Sequence, residues 1–377
     1  MFQDSRSLVT ISLPALIRNY RAIRRSANSM KIQEFVAVVK GDAYGHGAIA
    51  VAHALRREGV TWFAVSSVDE ALQLRHSGLP GRILLISGLD RKAIHEIIHY
   101  HLTPVLHSTS DIHWLSGQTR KLEAKIPFHL EMDSGLSRLG TSESLKRISA
   151  ELAKLPHPMM EGLMTHFASA TDPSGQQNQL QISRWKNFLP GMTQSGFRPR
   201  YRHAHASAAL ARQLQLPDTN MVRVGTALYG LLDLPTSILP AAQLTVEPVL
   251  QWQARLLLVK PVAAGESVGY GATYRVPAAT TLGIVAAGYA DGIPPALANR
   301  GYLLAAGQRF PLRGAISMDL SIIDLGQNSQ IKPGSWVTLI GEQGQERIAA
   351  AEIAQLAGIP IPALTVSMNA RSRRIYR

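Results

Sequence analysis

Eight short apolar runs, separated by stretches of helical periodicity, fill the first 230 residues and constrain the fold more than any other feature. They lie at 35–39, 62–65, 83–86, 102–106, 128–132, 162–165, 201–204 and 221–224. Strands that are apolar on both faces are typical of parallel sheets covered by helices. The intervening stretches supply those helices. One begins at Ser12, which can cap it, with Pro14 in its first turn. Residues 46–57 form another and stop before Gly59. Residues 67–76 open on Ser67-Val68-Asp69-Glu70, a capping-box pattern. A further helix is expected over 141–154. Eight βα units fit a (β/α)8 barrel, the TIM-barrel fold. A doubly wound open sheet is the main alternative, but no Gly-x-Gly-x-x-Gly follows the first strand.

Beyond residue 240 helical periodicity nearly vanishes. Short aliphatic runs are broken by turns such as Ala264-Gly265-Glu266, Gly288-Tyr289-Ala290-Asp291-Gly292 and Lys332-Pro333-Gly334. This predicts a mostly β C-terminal domain with one helix near 349–356. The boundary is placed at 236–246, dividing the chain into residues 1–240 and 241–377.

Composition removes several functional classes. Cysteine is absent from the 377 residues, so disulfides, thiolate metal sites and a cysteine nucleophile are excluded. No apolar stretch reaches the roughly 18 residues of a membrane span. Met1–Arg6 includes an acid and no apolar run, so no signal peptide is expected and the chain reads as cytoplasmic. The formal charge of +13 invites a nucleic-acid reading. The basic residues are scattered, however, and no basic module with interleaved aromatics accompanies them, so no nucleic-acid partner is expected.

Active sites of (β/α)8 barrels lie at the C-terminal strand ends. There the sequence places Lys40, Glu131, Arg138, His166, Ser207, Arg223 and Gly225-Thr226. A buried lysine is costly unless paired, neutral or covalently used, and a desolvated amine suits Schiff-base chemistry. A surface lysine just past a strand is the competing reading. Ser207 and Gly225-Thr226 follow strands 7 and 8, whose loops often bind phosphate in barrels. Ordinary turn chemistry would also account for them.

Longer motifs resolve these alternatives. Ala37-Val38-Val39-Lys40-Gly41-Asp42-Ala43-Tyr44-Gly45-His46-Gly47 resembles the pyridoxal-phosphate (PLP) lysine motif of the alanine racemase family. Asp133-Ser134-Gly135-Leu136-Ser137-Arg138-Leu139-Gly140, residues 161–168 (Glu-Gly-Leu-Met-Thr-His-Phe-Ala) and residues 222–230 are similar to further segments of that family. So are residues 265–274, Gly288-Tyr289-Ala290-Asp291-Gly292 and Ser317-Met318-Asp319. Several specific motifs in one order carry more weight than a single glycine-rich loop.

The resemblance implies a PLP-dependent racemase acting by two bases, with L- and D-alanine as substrates and D-alanine metabolism or peptidoglycan supply as the role. Lys40 would carry PLP and serve one face of the substrate. Tyr270, from the second copy in a head-to-tail homodimer, would serve the other, oriented by His166. Arg223 would face the pyridine nitrogen. Tyr44, Ser207, Gly225 and Thr226 would hold the phosphate. Arg138 and Met318 would receive the substrate carboxylate, and Tyr289, Asp319 and Glu131 would complete the substrate site. No metal is implied.

The chain departs from the family pattern at three places. Glu131 stands where many members have a lysine that becomes carbamylated, so a carboxylate paired with Arg138 is expected without modification. Ala206 replaces an asparagine. The usual Tyr-Glu pair near the C-terminus falls on Pro362-Ala363, which implies either a wider entrance admitting larger side chains than alanine's methyl or a poor or specialised racemase. A PLP decarboxylase on the same plan and a non-catalytic single-barrel PLP protein are the remaining rivals.

Overall fold

A computed structural model describes residues 5–155, 159–235, 244–327, 329–368 and 371–377. The chain opens on β1 (Ser7–Ile11), followed by the helix Leu13–Ser29. As predicted, the Ser12 hydroxyl accepts a hydrogen bond from Ala15 N, and Pro14 lies in the first turn.

Eight parallel strands follow: β2 (Glu34–Val38), β3 (Trp62–Val65), β4 (Arg82–Leu85), β5 (Leu102–Leu106), β6 (Phe128–Glu131), β7 (Met160–Met164), β8 (Tyr201–His203) and β9 (Met221–Val224). Each matches a predicted run to within two residues at either end. Consecutive strands pair from β2 through β8, and β9 pairs with β2. Two backbone bonds join the remaining sides, Arg223 N to His205 O (3.0 Å) and Asn220 N to Arg202 O (2.9 Å). The result is the expected (β/α)8 barrel.

Side chains alternate between its two faces. Phe128 and Leu130 join the large outer core, as do Val222 and Val224. Val36, Val38, Trp62, Val105, Met164, Tyr201 and Met221 fill the interior. His129, His203 and Arg223 share the inward parity and are almost fully buried.

The second domain is a nine-stranded, largely antiparallel sheet centred on β10 (Leu250–Val262). Strand β1 belongs here rather than to the barrel: it runs antiparallel to β10 and parallel to the C-terminal strand Arg373–Tyr376. The two ends of the chain are thereby stitched into one sheet. The helix expected at 349–356 forms as Ala350–Ala357, followed by a short one, Ile361–Val366, that periodicity did not reveal. The helix expected over 141–154 is shorter, Leu145–Leu152, capped by Ser144. Most of the predicted 236–246 boundary lies outside the described residues. Among the described residues no helix is long and apolar enough to cross a membrane.

Candidate active site

Lys40 follows β2 at the C-terminal mouth of the barrel, where the chain makes an unusual turn. Gly41, Asp42, Ala43 and Tyr44 all adopt left-handed backbone angles, with φ between 51° and 60°. For residues with a Cβ this costs about 1–2 kcal/mol each, so the surroundings must hold it. Glu70 does much of that. Its carboxylate accepts from Gly41 N and from Ser66 N, both at 2.7 Å. Sequence reading assigned Glu70 to a capping box. The Ser67 half forms, with Glu70 N donating to Ser67 Oγ at 3.2 Å, but the glutamate side chain is diverted to the lysine turn. Asp42 Oδ1 accepts from Ala48 N (2.8 Å), and the Arg374 Nε–H donates to Gly45 O (2.9 Å). Gly45 is required, because a Cβ would sit 1.9 Å from the Thr365 carbonyl. The helix bearing Pro362-Ala363 therefore packs directly on the turn.

The turn directs Lys40 and Tyr44 into a cleft of about 330 Å³ that they share with Glu131, Arg138, His166, Ser207, Arg223, Gly225 and Thr226. Nine of the predicted site residues thus meet in one place. Burial, and then the charge of Arg138, hold the Lys40 amine below its ordinary pKa, with Glu70 pulling the other way. The site therefore favours the neutral amine that nucleophilic addition requires.

One side of the cleft is built for an anion. The phenol end of Tyr44 packs against Gly225, and a Cβ there would come within 2.4 Å of the phenol oxygen. Burial pushes the Tyr44 pKa up to about 12, so its hydroxyl remains a donor. Ser207 Oγ accepts from Gly225 N (3.3 Å) and Ala227 N (3.2 Å), which leaves its own proton to donate.

Arg223 stands in the interior beneath the cleft. Its Nη1 donates to His203 Nδ1 (2.8 Å) and His203 O (3.0 Å), and its Nη2 to Thr165 O (2.9 Å) and His166 Nδ1 (3.2 Å). Four of the five guanidinium donors are thus committed to protein. Among the described residues nothing accepts from the Nε–H, which remains for a ligand in the cleft that Arg223 lines. Burial lowers the Arg223 pKa to about 10, against the pull of Glu131, and it stays a cation. His166 is forced down to about 3, first by burial and then by Arg223, Arg138 and Lys40. It is neutral, and because Nδ1 accepts from Arg223, its proton is on Nε2.

These residues fit PLP. A primary amine of lowered basicity, a glycine cradle under a protonated phenol and a guanidinium with one uncommitted donor match its aldehyde, phosphate and ring nitrogen respectively.

Other expectations change. Among the described residues no ion pair joins Glu131 to Arg138. The Glu131 carboxylate lies 3.2 Å from His107 Nδ1 instead, and both side chains are nearly buried. Inward parity on β6 aims Glu131 into the barrel, whereas Arg138 enters from a loop ordered by Asp133, whose Oδ1 accepts from Gly135, Leu136 and Ser137 N.

Tyr270, Met318, Tyr289 and Asp319 do not line the cleft. Tyr270 tops a turn between two short strands and is 78% exposed, and Met318 and Tyr289 are about half exposed. Backbone bonds from Tyr289 N to Ser317 O and from Ala290 N to Met318 O (both 3.0 Å) hold Met318 and Tyr289 together. Asp319 pairs with Arg371 at 2.5 Å, so its carboxylate is engaged away from the cleft.

Sequence reading missed Glu70, His107, His129 and His203. The two barrel histidines carried a visible signal: each places an imidazole at the inward parity of its strand, two residues from Glu131 on β6 and from Tyr201 on β8.

Comparison with known proteins agrees with this arrangement. Residues 11–233 match the family model described as alanine racemase, N-terminal domain, and residues 249–376 match its C-terminal counterpart. An alanine racemase of Carboxydothermus hydrogenoformans is 34% identical over 369 residues, 97% of this chain and 98% of the relative. The structure of alanine racemase from Streptomyces coelicolor superposes with a TM-score of 0.91 at 32% identity, covering 99% and 98% of the two chains. That of alanine racemase from Bartonella henselae, with covalently bound pyridoxal phosphate, gives 0.85 at 28% identity, covering 99% and 100%.

Proposed function

This chain belongs to the alanine racemase family, and from that premise we propose how its residues divide the work of interconverting L- and D-alanine. It is a PLP-dependent isomerase, and bound PLP supplies the electron sink that acidifies the substrate Cα. Lys40 holds the cofactor, and its amine takes or returns the Cα proton on one face. Tyr270 of the partner subunit does the same on the other, because inversion needs a base on each side. His166 offers its Nε2–H to orient that phenol. Tyr44, Ser207, Gly225 and Thr226 hold the phosphate. Arg223, which stays a cation, would face the ring nitrogen of bound PLP and hold it unprotonated. Arg138 and Met318 of the partner subunit receive the substrate carboxylate.

The observation that carries this reading is the Lys40 amine, desolvated and facing the Tyr44–Gly225 cradle. Lys40→Ala is the test. It is expected to abolish both racemisation and the visible absorbance of lysine-bound PLP while leaving the folded state intact. A Lys40→Ala protein that still racemises alanine would refute the assignment.

The exposure of Tyr270, Met318 and Tyr289 supports a homodimer with shared sites, and we read its role as supplying D-alanine to peptidoglycan in the cytoplasm. Sedimentation as a monomer under turnover conditions would count against shared sites. The decarboxylase alternative receives no support from the relatives, which are racemases.

A further inference from the structure

Behind Arg223 a line of buried polar groups runs the length of the barrel. Arginine has only donors. Since Arg223 Nη1 donates to His203 Nδ1 at 2.8 Å, that nitrogen carries no proton. His203 and His129 are both fully buried, and burial holds both well below the ordinary histidine pKa, so each carries one proton. His203 is therefore protonated on Nε2, which lies 2.8 Å from His129 Nδ1. His129 must accept there, so its own proton is on Nε2.

Among the described residues that Nε2–H has no hydrogen-bond partner. It faces Glu161 Oε1 at 3.8 Å, beyond hydrogen-bonding range but close enough for the carboxylate field to act on it. Glu161 reaches this position through a backbone irregularity. Phe128 pairs with Met160 and His129 with Gly162, so Glu161 is the extra residue of a β-bulge, and bulges re-aim side chains. Arg82 holds the carboxylate with two N–H groups while lying 4.2 Å above the Trp62 ring. Gly162 is needed beside it, because a Cβ would fall 2.3 Å from the His129 ring. The Glu-Gly of residues 161–162, which the reaction leaves unexplained, thus has a physical purpose.

We propose that His203 and His129 are positioning residues that, with the Glu161 bulge at the far end, lock Arg223 in the one orientation that leaves its Nε–H facing the cleft. The order Arg223–His203–His129–Glu161 runs from cation to anion with every ring in a single tautomer. Turning the guanidinium away would leave His203 Nδ1 and His166 Nδ1 buried without a donor, and a proton on His203 Nδ1 would set donor against donor at Arg223. The role in the reaction rests on Arg223 facing the cofactor ring nitrogen, but the tautomers follow from this chain's own groups.

The test uses the full chain loaded with PLP and labelled with 15N-histidine. Long-range 1H–15N spectra near pH 8 are expected to show His203 and His129 as Nε2–H tautomers. Finding either as Nδ1–H overturns the proposal whatever the cofactor does. Absence of PLP binding would instead refute the reading of the active site and leave the tautomers standing. His129→Phe leaves the His203 Nε2–H without an acceptor. It is expected to lower kcat by about tenfold or more with little change in KM and to shift the absorbance of bound PLP. His129→Gln, whose amide oxygen can accept, should restore most of both. A folded His129→Phe protein with native kcat and native absorbance overturns the proposal. If that variant does not fold, the tautomer spectrum of the native chain still decides.

Discussion

Gly225→Ala isolates the phosphate cradle in one methyl group. Gly225 has φ −117°, so alanine meets no left-handed strain and the cost is steric. The new Cβ would lie 2.4 Å from Tyr44 Oη and 2.8 Å from Cζ, roughly 1 Å inside normal contact. The phenol has little room to yield, since it is mostly buried, packs against Tyr229 with ring centroids 5.2 Å apart and planes inclined by 34°, and rises from a left-handed turn pinned by Glu70. Overpacking of this kind costs about 1–3 kcal/mol. Because Tyr44 is displaced from the hydroxyl position that PLP needs, this corresponds to about 5- to 150-fold weaker PLP binding. The assay is titration of apoprotein with PLP, followed by absorbance, alongside thermal unfolding of the apoprotein. Tyr44→Phe removes the nearer clashing atom, so the double variant should lose less than the sum of the two single losses, a coupling that a mutant cycle measures. Strict additivity, or native PLP affinity in Gly225→Ala, would refute the claim that the phenol and the glycine form one cradle.

Three other outcomes are expected. Ser207→Ala removes the hydroxyl that accepts from Gly225 N and Ala227 N and offers its own proton to the phosphate; a hydrogen bond to a charged group contributes about 1.5–3 kcal/mol, so PLP binding should weaken by about 10- to 150-fold, which equilibrium dialysis measures. His46, His129, His166, His203 and His205 are all held below the ordinary histidine range by burial, His46 to about 4 and His166 to about 3. Between about pH 6.5 and 4 the unfolded chain therefore binds more protons than the native one. Stability should fall as pH drops through that window, by up to about 1.4 kcal/mol per unit for each of His46, His129 and His166. A flat melting temperature from pH 7 to 4.5 would contradict this. Finally, Lys40→Ala and Tyr270→Phe proteins, each nearly inactive, should recover about a quarter of native activity after mixing and subunit exchange, because half the dimers are mixed and each carries one intact site; no recovery would place both bases in one chain.

The barrel was legible because parallel strands covered on both faces are mostly apolar, and eight such short runs alternate with stretches of helical periodicity. Lys40, Arg223 and Ser207 were legible because strand ends define the mouth of such a barrel. Glu70 was not, since its local pattern with Ser67 satisfied a helix cap and only the folded chain shows Gly41 N and Ser66 N competing for its carboxylate. The Glu131–Arg138 pairing failed for a related reason: both residues reach the cleft, but strand parity aims Glu131 at His107.

From sequence alone came the family, the two-domain order and the chemical identity of the groups in the cleft, because strand periodicity and motif spacing are local properties of the chain. Tertiary structure alone decided which sheet took β1, how the bulge at Glu161 turned a carboxylate inward, and which nitrogen of His166, His203 and His129 holds its proton. These depend on pairings between residues far apart in the chain, and on the rule that a buried donor must find an acceptor.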